Sequence, residues 1–117
     1  MRSKPSFSGG EGRKRLDEFH RALLEAVDEA LLALGEPVRN VIYCYMENRF
    51  SIKRDEIPDR PSDFAEALKN MLGVGANVLL KLIVKRLYAK FGLNFEEKPG
   101  WGFKEYLNEA EKNVRVV

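Results

Sequence analysis

The sequence predicts an all-α protein, a compact bundle of five or six helices. Residues 75–91, GANVLLKLIVKRLYAKF, place Leu80, Ile83, Val84, Leu87 and Phe91 at the three- and four-residue steps of one helical face. Val78, Leu79 and Leu82 carry the apolar surface most of the way round, the pattern of a helix surrounded by others. Strand signals are nearly absent and no internal repeat is visible. Residues 75–91 are therefore expected to be the central helix.

Taken in order, residues 1–10 combine Ser, Gly, Pro and Lys with a lone Phe7 and predict a flexible N-terminal arm. A core domain is expected over 11–98. Its first helix, from Glu11 to Leu34, turns Leu16, Phe19, Leu23, Val27, Ala30, Leu31 and Leu34 to one face. Its charges oppose the helix dipole: Arg13, Lys14 and Arg15 stand at the start, Asp28 and Glu29 near the end. That costs a few tenths of a kcal/mol per charge, roughly, unless partners lie elsewhere. The two readings are a solvated face and a set of partners on another helix. Glu36-Pro37 opens the next helix, proline being harmless in a first turn. Val38, Val41, Ile42, Tyr45 and Met46 form its expected buried stripe, with Tyr43, Arg39 and Glu47 opposite. A short helical turn is expected at Lys53–Glu56, then a loop, because Pro58 disfavours helical geometry at Ile57. A third helix starts at Pro61 or Ser62 and buries Phe64, Ala67, Leu68, Met71 and Leu72. Gly73 and Gly75 form a tight corner into the central helix, which Gly92 ends. Leu93 and Phe95 are apolar pegs in the following loop. Residues 99–117 read as a C-terminal tail with a short helix, Phe103–Lys112, and Val114–Val117 able to extend as a strand.

Composition narrows the function classes. The 117 residues carry a net charge of +2, too weak to argue nucleic-acid binding by itself. No run approaches the roughly 20 apolar residues of a membrane span. The N-terminal basic residues precede no apolar stretch, so no secretory signal is expected. One cysteine, Cys44, excludes an intrachain disulfide, and a reducing cytoplasm is the expected setting. The absence of Gln and Thr leans towards a thermophile.

No constellation for catalysis stands out. His20, the only histidine, lies in the apolar arc of the first helix, where a phosphoacceptor or general base would be poorly placed. Cys44 is mid-helix, away from anything that would lower its pKa. The glycine corner matches neither the phosphate loop nor the dinucleotide fingerprint. No enzyme activity, metal or cofactor is expected. Tyr43, Trp101, Phe103 and Tyr106 are the aromatics least clearly assigned to a core, and they are candidate partner contacts. A tail folded back with Trp101 as a lid is equally open. Arg13, Lys14, Arg15, Lys81 and Lys85 form a candidate basic surface. The lysines of the central helix could instead lay their stems on the core, or meet the acidic end of the first helix.

The order Leu34-Gly35, Asn48-Arg49-Phe50-Ser51-Ile52, Glu56-Ile57-Pro58, Phe64-Ala65-Glu66-Ala67-Leu68, Leu72-Gly73-Val74-Gly75-Ala76, Ile83 and Leu87-Tyr88 resembles a small family of archaeal domains of uncharacterised function. Its members occur alone or as output modules beside signalling domains. The resemblance covers about half the chain, implies an all-helical fold and a regulatory role, and supplies no catalytic residues. The expected function is a non-enzymatic regulatory or protein-interaction module. Its partner would be another protein or a second copy. The alternative is a nucleic-acid binder using the basic residues.

Overall fold

A computed structural model describes the backbone of residues 4–116 and the side chains of 17–114. Five α-helices follow one another: α1 (Lys4–Leu32), α2 (Glu36–Phe50), α3 (Pro61–Leu72), α4 (Gly75–Lys90) and α5 (Phe103–Val116). A 3₁₀ turn, Arg54–Asp59, precedes α3. No strand occurs among the described residues. The all-α bundle is thus as the sequence predicts. The first helix begins at Lys4, inside the expected N-terminal arm, and residues 1–3 of that arm lie outside those described.

α4 packs on α1, α3 and α5, while α1 meets α2, the 3₁₀ turn, α4 and α5, so the core is shared between α1 and α4. Leu79, Leu80, Ile83, Val84, Leu87 and Tyr88 are buried, facing Phe19, Leu23, Val27 and Leu31 of α1 and Phe64 and Leu68 of α3 in one cluster. Val78 departs from expectation: it is 74% exposed, like Val74 at 86%. The α3–α4 corner turns on Gly73, at φ +62°, and Val78 lies off the face on which Ala76, Leu79 and Leu80 are buried. Small residues Ala22, Ala26 and Ala30 complete the inner face of α1 and let its neighbours approach closely.

Two corrections concern the middle of the chain. In α2, Ile42 and Met46 are buried, but Val38 and Val41 are exposed and Tyr43 turns inward. The buried face is rotated towards Tyr43 because its hydroxyl donates to the Asp28 carboxylate on α1. The 3₁₀ turn also runs through Ile57 and Pro58, where a loop was expected. Full burial of Ile57, together with the Arg60 N–H bonding back to Glu56 O and Ile57 O, fixes the tighter helix. Entry to this turn uses Ser51 in the left-handed conformation (φ 55°). The Ile52 N–H bonds Met46 O, the Ser51 N–H bonds Glu47 O, and buried Ile52 supplies the accompanying apolar contact.

The acidic end of α1 does have partners. Adjacent helix positions point about 100° apart, so Asp28 and Glu29 serve different neighbours. Arg54 grips Asp28 through Nε (3.1 Å) and Nη2 (2.6 Å), pinning the 3₁₀ turn to α1. Glu29 takes Lys90 Nζ at 2.9 Å and Arg86 Nη1 at 3.4 Å from α4. Burial raises the Asp28 pKa, but the hydrogen bonds from Arg54 and Tyr43 and the nearby Arg54 and Arg39 charges outweigh it and hold the carboxyl below 3.8.

A folded pKa below the unfolded one gives stability that is complete above about pH 4 and disappears as pH falls through the folded value. Asp28→Asn should therefore cost about 1–2 kcal/mol at pH 7, at the low end for charged hydrogen bonds because Arg54 is partly solvated. The difference between variant and wild type should close below pH 4. Urea melts across pH check this, and a difference independent of pH would refute it.

The tail is not a separate unit. Phe103, Leu107 and Ala110 of α5 are buried in the same core cluster. Helix also continues through Val114–Val116, where a strand was an option. His20 is half-buried at the edge of the core, its ring 6.2 Å from that of Phe19.

Candidate functional site

A cleft of about 780 Å³ opens between α3, α4, the 91–102 loop and the start of α5. Both long walls follow one helical rule. Ser62, Ala65, Glu66 and Lys69 on α3, and Asn77, Leu80, Lys81 and Val84 on α4, each repeat at the i, i+3, i+4, i+7 spacing of a single face. The apolar members are the floor and the polar ones the rim.

The far wall is built by the loop. Phe95 is the peg that returns it to the bundle: its ring lies 5.7 Å from Tyr88, edge-on, and 5.3 Å from Tyr106. Lys98-Pro99-Gly100-Trp101 then reverses the chain, with the Trp101 N–H bonding Lys98 O at 3.1 Å. Proline in second place and glycine at φ +80° in third are what a type II turn requires. The turn sets the Trp101 ring 5.1 Å from Tyr106, edge-on. Tyr106 locks the arrangement. Its hydroxyl accepts from the Lys98 N–H (2.9 Å), and its carbonyl accepts from the Tyr88 hydroxyl (2.8 Å). Burial, aided by Glu109 and Tyr106, pushes the Tyr88 hydroxyl up to about 12, so it stays a donor.

Charges decorate this aromatic wall. Lys81 is bonded to Glu97, and its hydrogen bond and charge hold that carboxyl below the ordinary range. Lys85 lies 5.6 Å above the Phe95 ring and Lys98 lies 5.2 Å above Trp101, both at cation–π range. Glu105 accepts the Gly102 N–H at 2.8 Å and caps α5. Lys69 and Lys104 stand at the rim, both exposed.

Of the aromatics singled out in the sequence, Trp101, Phe103 and Tyr106 line this cleft together. Phe103 is buried floor, while Trp101 and Tyr106 are half-exposed. Tyr43 belongs elsewhere, to the Asp28–Arg54 cluster. Lys81 and Lys85 flank the cleft. The side chains of Arg13, Lys14 and Arg15 lie outside the described residues. Sequence reasoning missed Lys69, Lys98 and Lys104. The matching four-residue stripes of α3 and α4 were a usable signal for Lys69, but nothing local announces that the loop folds back to bring Lys98 beside them.

Among the described residues no three His, Cys, Asp or Glu side chains gather in a way that could hold a metal ion. No helix among them is long and apolar enough to cross a membrane. No protein-family model matches the chain, and neither a curated protein nor a solved structure is significantly similar to it.

Proposed function

We propose that this protein is a non-enzymatic regulatory or protein-interaction module, working in the cytoplasm, and that the Trp101 cleft is its contact site. One observation carries the reading: a half-exposed tryptophan is set against Tyr106 by a proline–glycine turn, above an apolar floor. Preorganised aromatic anchors over a concave apolar surface are what protein recognition sites use. Two of its three carboxylates are already engaged in positioning the walls, Glu97 with Lys81 and Glu105 with the start of α5. That supports binding over chemistry. A signalling output role is the form of regulation that the resemblance to archaeal domains supports.

The basic-surface alternative draws less support, because Lys81 is met by Glu97 and Lys85 rests on Phe95. Capture from a native extract tests the main reading: wild type should retain a partner that Trp101→Ala loses, with both proteins equally folded by circular dichroism. Equal retention by the two would place the contact elsewhere. Titration with duplex DNA across salt tests the alternative, since phosphate contacts must weaken steeply as salt rises.

A further inference from the structure

The charges of the cleft point to the chemistry of what docks there, on the reading that it is a contact site. Four lysines and three glutamates line it. Glu97 is neutralised by Lys81 and Glu105 is held by the Gly102 N–H. Among the described residues Lys69, Lys98 and Lys104 have no carboxylate within ion-pair distance, while Glu66 and Glu105 keep their charge, so the lining carries one more lysine than glutamate. The first turn of α5 enters the same wall at Gly102, Phe103 and Lys104, its positive end already met by Glu105. The result is an apolar trough with a net positive rim. We propose that it binds an acidic segment of a partner protein, an extended stretch whose one large apolar side chain sits on Leu80, Val84 and Trp101 while flanking Asp or Glu residues meet Lys69, Lys98 and Lys104. A trough of about 780 Å³ has room for such an anchor and its neighbours, and complementary charge at the rim supplies steering and selectivity.

Trp101 is the only tryptophan in the chain, so its emission reports on this cleft alone. Three sets of short peptides with a central Phe or Leu, flanked by Asp/Glu, by Lys/Arg or by Ser/Gly, should be titrated against the full chain. Only the acidic set is expected to shift the emission at low concentration, binding about tenfold or more tighter than the neutral set and weakening with salt. The double variant Lys69→Glu, Lys104→Glu, exposed and outside the core, should lose about tenfold of that affinity with an unchanged melting temperature. Val78→Asp, outside the cleft, should lose none. Equal binding of the three sets would overturn the acidic preference and leave the docking site standing. Emission unmoved by every peptide, or moved only by single-stranded DNA, would overturn both.

Discussion

Ile83→Ala is expected to destabilise the protein by about 2–5 kcal/mol, the range for truncating a fully buried aliphatic side chain. Ile83 is 0% exposed and sits mid-way along α4, where that helix meets α1 and α3. Removing it takes away the transfer energy of the lost methyl groups and leaves a cavity. The walls are fixed by three helices, so collapse is restricted. Small domains retain only about 5–15 kcal/mol in total, so the variant should melt far below wild type. Val78→Ala, on the same helix, is the contrast: at 74% exposure it should change stability by no more than about half a kcal/mol. Denaturant melts of the two variants side by side check the assignment. Similar small losses for both would put α4 on the surface.

That contrast also marks how far periodicity reads. The interior of α4 was legible because its apolar positions exceed what a surface helix carries, so its burial did not depend on which neighbour covered it. Val78 was not legible, because a helix apolar most of the way round does not state which side its neighbours leave open, and Ala76, Leu79 and Leu80 beside it are buried. In α2 the apolar stripe offered Val38, Val41, Ile42, Tyr45 and Met46 as core, and only Ile42 and Met46 are fully buried. The winning face instead followed one polar contact, Tyr43 to Asp28, between residues fifteen apart in sequence. The opposing charges at the end of α1 left two readings, a solvated face or partners on another element, and Arg54, Arg86 and Lys90 decide for partners. The cleft divides in the same way. Its aromatic cluster stood out in the sequence as Trp101, Phe103 and Tyr106. Its lysines did not, since Lys69 and Lys98 are brought together only by the return of the loop onto Tyr88 and Tyr106 through Phe95.

Deleting residues 99–117 should abolish cooperative folding. Left in water, the apolar face of this tail would be unusual, and the structure resolves it onto the chain's own core. Phe103 and Leu107 bury about 1.5–3 kcal/mol each of apolar transfer energy, and buried Ala110 adds to it. The truncation also uncovers their neighbours, Phe64 of α3 with its ring 5.9 Å from Phe103 among them. It strips Tyr88 of the carbonyl that its hydroxyl bonds and frees Phe95, so the 91–102 loop loses its anchor as well. Together these losses match a large share of what holds a domain of this size. Leu107→Asp is the smaller test of the same contact. A buried, unpaired carboxylate there should lower the melting temperature strongly while leaving the chain length intact. Melting followed by circular dichroism, with light scattering for mass, decides between two roles for the tail. An unchanged melt accompanied by loss of a dimer would mean that α5 packs across copies, and the intrachain contact would be wrong.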